Sequence, residues 1–297
     1  MQKTLSPSAL GLAGHESEML ELALTFGFQA VEQDMAEFAG RVKLHDLAYA
    51  KRLLASARLP VGIFALPFRL DVEEVQFRRG LEKLREQGPL AVEVGCRTCV
   101  TTLAPGHETR PYHENFELHR QRLTEVCGVL EPAGIRLGVG FRGTVSARKG
   151  KALEFIHSLD ALATLAKMVG APNLGPVFDV WETFVSGGSV EELGGLSPAE
   201  IVAVYLSDLP DEVDPAAATE RDRLLPRSAG RIPSAAALAG LAAGGYAGPV
   251  IPRAHPSQLR GLRRDQIAQR AAAALDALER EAGVGPAAKP LAATSTE

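Results

Sequence analysis

Trp181 and Glu182 are adjacent residues whose types could do chemistry together. A carboxylate enclosed beside an indole, away from water, has its pKa raised and can serve as an acid or base. Left in the open, the same residue is a solvated loop carboxylate. Arg142 follows one β-like run, and His157 stands at the expected start of the next helix. Each could reach the same end of the fold as Glu182, or could simply cap a helix or brace a loop. Other patterns carry less. Cys96-Arg-Thr-Cys99 has redox spacing but straddles the start of an expected strand, where positions i and i+3 face opposite sides. Glu154-x-x-His157 has the spacing of a di-iron helix motif without a second copy. His113 and His119 fall on different faces of one helix, and Gly187–Gly188 is a turn without a phosphate-loop context.

The elements that must position these residues alternate regularly. Short apolar runs at Leu5–Leu12, Ala30–Gln33, Pro60–Ala65, Arg97–Leu103, Ile135–Phe141, Leu174–Phe178, Ile201–Leu206 and Pro249–Ile251 read as strands. Between them, helical spacing covers 16–26, 44–57, 72–86, 114–133, 152–169, 234–243 and 265–282. Gly27, Gly88, Gly134, Gly170 and Gly244–Gly245 are expected to close helices. Eight strand–helix alternations point to parallel strands with crossover helices, and eight is the number that closes an α/β barrel. No Gly-rich phosphate fingerprint follows the first strand, so an open doubly wound sheet is disfavoured.

Composition narrows the class of function. The chain has 297 residues, 46% of them apolar, enough for one (β/α)8 barrel. We read residues 1–282 as a single domain and 283–297 as a disordered Ala/Pro/Ser/Thr tail. A net charge of −4 from 32 basic and 36 acidic residues argues against nucleic acid as a partner. No apolar run is long enough for a membrane span, and Ser6, Pro7 and Ser8 interrupt any signal core. Three cysteines make no disulfide framework, so a cytoplasmic location is expected. Composition leaves a homo-oligomer open.

Four segments carry a resemblance to a known family. ENFELHRQRLTEVCGVLEPAGIRLGVGF (114–141), EFIHSLDALATLAKMVGAPNLGPVFDVWETFVSGG (154–188), RDRLLPRSAGRIP (221–233) and GYAGPVIPRAHP (245–256) resemble the later strand–helix units of sugar-phosphate isomerase/epimerase proteins. These are the xylose isomerase-like TIM barrels. The resemblance implies a (β/α)8 fold with its site at the C-terminal ends of the strands. It also implies one divalent metal, held by Glu, Asp, His and Glu ending strands five to eight. In this chain those positions are Gly140, Asp179, Tyr205 and Arg253, with Glu182 where a histidine often follows Asp-x-Trp. Arg223 resembles a substrate-contacting arginine.

Such a set does not suit a cation. Glycine offers no side-chain ligand, neutral tyrosine is a poor one and arginine stays protonated. A cation about 5 Å from Arg253 would meet roughly 3 kcal/mol of repulsion per unit charge at an effective dielectric of ~20. No metal and no other cofactor is therefore expected, unless a shift of one or two residues brings His255 or Asp208 into the site. Two readings of function stay open. In one, an enzyme moves a proton on a small sugar-like ligand without metal. Glu182 is then the base, Arg253 the stabiliser paired with Asp179, and Tyr205, Arg142, His157, Trp181, Arg223 and His255 line the ligand. In the other, a binding or scaffold protein has kept the barrel and lost the chemistry.

Overall fold

The computed structural model describes residues 1–284, the side chains at 193 and 194 apart. Eight parallel strands close into a barrel: β1 (Gln2–Leu5), β2 (Ala30–Glu32), β3 (Val61–Ala65), β4 (Thr98–Thr102), β5 (Arg136–Gly140), β6 (Leu174–Asp179), β7 (Ala203–Leu206) and β8 (Pro249–Pro252). Gln2 pairs with Pro249 to complete the ring. The strands are short because they need only span the barrel wall. Their apolar residues face two cores. Ala9, Ile63, Val100, Val177, Ala203 and Ile251 fill the inside, with Tyr205 packed on them. A larger core lies between strands and helices. Among the described residues no helix is long and apolar enough to cross a membrane.

Seven expected strands lie where the apolar runs are, within one or two residues. The first does not. The run Leu5–Leu12 is cut at Ser6, whose hydroxyl accepts from the Ala9 N–H while Pro7 opens a one-turn helix over Pro7–Leu10. A serine cap followed by proline is a helix start, and it overrides the apolar pattern. The strand proper is the preceding Gln2–Leu5.

The helices show three further departures. Met35–Leu44 is an additional helix, started by Asp34, whose carboxylate accepts from the N–H groups of Ala36 and Glu37. The helix expected to close at Gly88 runs on through Pro89 to Glu93, and Gly95 (φ 77°) ends the turn that follows. The helix expected from 152 begins only at Leu159, capped by Ser158. Ahead of it, Leu153–Glu154 pairs antiparallel with Gly106–His107, which places His157 in a connecting loop. The last helix ends at Glu281. Most of the tail read as disordered, 285–297, lies outside the described residues.

Register brings the important strand ends level. Asp179 on β6 stands beside Tyr205 on β7, and Tyr205 beside Ile251 on β8. Gly140 ends β5 opposite Thr102 of β4. Two glycines of β5 differ in kind. A Cβ at Gly138 would meet Val177 at 2.9 Å, so close packing demands glycine there. At Gly140 the nearest atom would be 3.6 Å away, and a side chain could be accommodated.

Candidate functional site

The loops beyond the strand ends enclose a cavity of roughly 500 Å³ at the C-terminal mouth. Ser8, Glu32, Thr102, Asp179, Tyr205 and Arg253 supply its principal polar groups. Asp179 is shared between two jobs. Its Oδ1 accepts from the N–H groups of Trp181 and Glu182 at 3.1 and 3.2 Å, starting the short helix Val180–Val185. Its Oδ2 faces two guanidiniums, accepting from Arg223 at 2.7 Å and from Arg253 at 3.3 Å.

Arg223 is wholly buried and lies over the Trp181 ring at 4.2 Å. It binds Asp179 through Nη1 and the Glu182 Oε1 through Nη2 at 2.6 Å, with Nε 3.4 Å from Glu220. Burial works against its charge, but Asp179, Glu182 and Glu220 outweigh that cost and hold its pKa above the ordinary arginine value. Arg142 bridges Glu182 at 3.2 Å and Glu220 at 2.7 Å. The Gly143 N–H donates to the other Glu182 oxygen at 2.7 Å. Three carboxylates, Asp179, Glu182 and Glu220, thus meet three guanidiniums, Arg142, Arg223 and Arg253. Burial pushes the Glu182 carboxyl up, against the pull of Arg223, with Asp179 and Glu220 adding to the rise. Glu220 is less enclosed, and Arg223 and Arg142 overcome its burial to hold its pKa down. A proton taken up by this pair therefore rests on Glu182.

The loop that delivers Arg223 is tied down at several points. Asp208 and Leu224 form an isolated antiparallel bridge. The buried Asp208 carboxylate accepts from Arg227 and from the Ile232 N–H. The His255 N–H donates to the Arg223 carbonyl at 2.9 Å.

The geometry sorts the candidate residues. Asp179, Tyr205 and Arg253 converge on the cavity. Glu182, Trp181 and Arg223 do not line it; they form the sealed layer beside it, and Arg142 is the half-buried strut of that layer. Arg223 is therefore an internal cation, where the resemblance implied a substrate contact. His157 closes a local turn, its Nδ1 2.7 Å from the Phe155 carbonyl oxygen. The His255 ring accepts from the Ser257 N–H and caps the turn Pro256–Leu259. The chain has left the strand before His255, so the two-residue alternation that would have aimed it inward no longer applies. Asp208 is committed to the loop tie, leaving it poorly placed as a displaced ligand. Cys96 and Cys99 are buried free thiols, and burial pushes the Cys96 thiol up to about 12.

Sequence reasoning missed Glu32. It ends β2, and its carboxylate accepts from the Ser6 hydroxyl at 2.6 Å and from the Ser8 hydroxyl at 2.8 and 2.9 Å. Among the described residues no arginine or lysine pairs with it. Its position was the available signal, because a carboxylate at the C-terminal end of a barrel strand sits where such folds place their chemistry. The Tyr205 hydroxyl makes no hydrogen bond to another described residue. Burial, with the charge of Glu32, raises its pKa, so it stands neutral, able to donate or accept.

Residues 20–280 match the family model of the xylose isomerase-like TIM barrel. The chain belongs to this family. Solved structures agree on the fold. A xylose isomerase domain protein from Alicyclobacillus acidocaldarius superposes with a TM-score of 0.85 at 27% identity, over 95% of this chain and 99% of that one. An IOLI protein with a binding zinc atom gives 0.76 at 18% identity, over 95% and 98%. D-psicose 3-epimerase with D-tagatose from Clostridium cellulolyticum H10 gives 0.68 at 14% identity, over 95% and 99%. No curated protein matches the chain.

In this xylose isomerase-like barrel the residues at the four implied ligand positions do not fit a divalent cation. Gly140 has no donor atom, Tyr205 is neutral, and Arg253 brings its own positive charge. Asp179 is the one carboxylate, and its outward oxygen already accepts from two guanidiniums. The cation that gathers carboxylates here belongs to the chain itself, the guanidinium of Arg223.

Proposed function

We propose that the barrel mouth binds a small polyhydroxylated, sugar-like compound and moves a proton on it without a metal. One observation carries this reading: a cavity of roughly 500 Å³ lined together by Arg253, the neutral Tyr205 and Glu32, a carboxylate with no arginine or lysine partner among the described residues. The volume suits a monosaccharide-sized ligand. Its acceptors and donors match hydroxyl and carbonyl groups.

The candidate base moves from Glu182 to Glu32, because Glu182 is sealed behind the mouth whereas Glu32 lines it. Glu32 would take the proton from a carbon next to a carbonyl. The carbonyl oxygen gains negative charge as that C–H bond breaks, and Arg253 and Tyr205 would donate to it. Ser6 and Ser8 hold the carboxylate in place. Return of the proton to the neighbouring carbonyl carbon, as the hydroxyl proton on the carbon that lost it passes to the former carbonyl oxygen, completes an isomerisation. The second reading, a barrel that binds without turning over, draws on the same cavity. It is favoured by the two serines, which occupy both Glu32 oxygens.

Solvent deuterium uptake by a panel of ketoses and aldoses, with binding followed by calorimetry, tests both readings. The expected result is exchange that Glu32→Gln lowers a hundredfold or more while affinity changes little, and binding that Arg253→Met weakens at least tenfold. Binding without exchange would leave the non-catalytic reading standing. Absence of binding across the panel would remove both.

A further inference from the structure

Beside the mouth lies a second and larger cavity, roughly 710 Å³, between the ends of β1, β2 and β3 and the helices that follow them. It shares Ser8, Glu32, Ala65, Leu66 and Pro67 with the mouth, so Glu32 stands at the junction of the two. We infer that this second cavity is a subsite for an extended ligand arm, apolar along its length and ending in a hydrogen-bond donor, an ammonium group above all. That the arm belongs to the same ligand as a sugar-like head rests on the function proposed above.

Two kinds of wall support the assignment. Leu12, Met19, Leu20 and Met35 give the cavity an apolar side fit for an alkyl or similar chain. The remainder is acidic. Glu16, Glu32, Asp34 and Glu37 line it, and no lysine, arginine or histidine does. Arg41 does not line the cavity, and among the described residues it pairs with Glu16 and Glu37. Four carboxylates against one guanidinium leave a net negative field in a partly enclosed space, which favours cations and donors over anions.

The independent observation is Gln87. Gln87 is among the residues lining this cavity, it is 5% exposed, and its Oε1 has no hydrogen-bond partner among the described residues. A buried amide left unpaired is unfavourable and is ordinarily satisfied by a ligand or an ordered water. Gln87 is held by the helix Glu74–Glu93 and does not line the mouth, so the proton transfer has no use for it. A donor at the end of an apolar arm would satisfy it.

The test uses arm fragments alone. Binding of hexylamine, hexanol and hexanoate to the full chain is compared by ligand-observed NMR at pH 7.5. Hexylamine is expected to bind at least tenfold more tightly than the alcohol and the carboxylate. Arg253→Met, a change in the mouth, should leave that affinity within twofold. Ala36→Trp, which fills the subsite from an exposed position, should abolish it. Gln87→Leu should weaken it at least threefold without lowering the melting temperature. Equal affinity for the three fragments, no binding by any of them, or amine binding that survives Ala36→Trp would each overturn the subsite. Amine binding with an empty sugar panel would sustain the subsite and overturn the mouth reading alone.

Discussion

Glu182 illustrates how a buried carboxylate can be structural while looking catalytic. It has the enclosed setting and aromatic neighbour sought from sequence, yet Arg223, Arg142 and the Gly143 N–H use its oxygens. Its folded pKa is raised from the ordinary 4.5 to about 7, mainly by burial. The folded protein therefore holds this proton where the unfolded chain has already released it. Stability from this group is present below about pH 4.5 and is lost as pH rises towards 7. Denaturant unfolding of wild type and Glu182→Gln between pH 4.5 and 7.5 should show it: relative to the variant, the wild type loses up to ~1.4 kcal/mol per pH unit in that window. Parallel curves would contradict the assignment. Glu220 acts in the opposite sense at lower pH, its contribution being lost as pH falls below the ordinary carboxylate range. The signal that led to Glu182 was sound as far as enclosure went. It carried no information on partners, because Arg223 lies 41 positions away in the chain.

At the scale of elements, the segment between β7 and the helix Ser234–Ala243 does the most to shape the site. It carries Glu220 and Arg223 inward and is fastened by Asp208 at the end of β7. Asp208→Ala would free the partly exposed Arg227 at little cost but would orphan the buried Ile232 N–H. The expected loss is roughly 1–3 kcal/mol. Limited proteolysis should then cut between 209 and 231 while the barrel core stays protected. A loop as resistant as in the wild type would show that the backbone bridge to Leu224 suffices. Element positions were legible from sequence wherever one period dominated. The strands on β2 to β8 and the helix 234–243 were found because their apolar residues are continuous or regularly spaced. Met35–Leu44 escaped because Gly40 interrupts its apolar spacing, and its start signal is the single cap at Asp34. The first strand was misplaced because Ser6 and Pro7 stop an apolar run that otherwise continues to Leu12.

At the scale of the whole molecule, the closed barrel brings the ends of β5 to β8 around one mouth and lets a guanidinium stand where carboxylates gather. Restoring ligand types on the strands alone should therefore not create a strong metal site. With Gly140→Glu, Tyr205→His and Arg253→Glu together, Arg223 still occupies Asp179 and Glu182, and Mn(II) should bind weakly. Adding Arg223→Ala should release those oxygens and raise Mn(II) affinity at least a hundredfold, read by calorimetry and by a metal-dependent rise in melting temperature. There is room for the first change, since a Cβ at Gly140 meets nothing closer than 3.6 Å. Arg223→Ala by itself should cost about 3–5 kcal/mol, the usual penalty for uncovering buried charge. Tight Mn(II) binding by the triple variant with Arg223 intact would refute its role as resident cation.

Local information sufficed for the alternation of strands and helices, the closure number, and the residue types at strand ends. Each depends on spacing along the chain, and family resemblance reinforced it. Which groups face one another was decided by the tertiary structure. Closure of the barrel brings Glu32 of β2 and Arg253 beyond β8 to one mouth, sets Arg223 against Asp179, and places Gln87 in the wall of a second cavity. Charge pairing acts over a few ångströms of space, and sequence separation says nothing about that distance until the chain has closed.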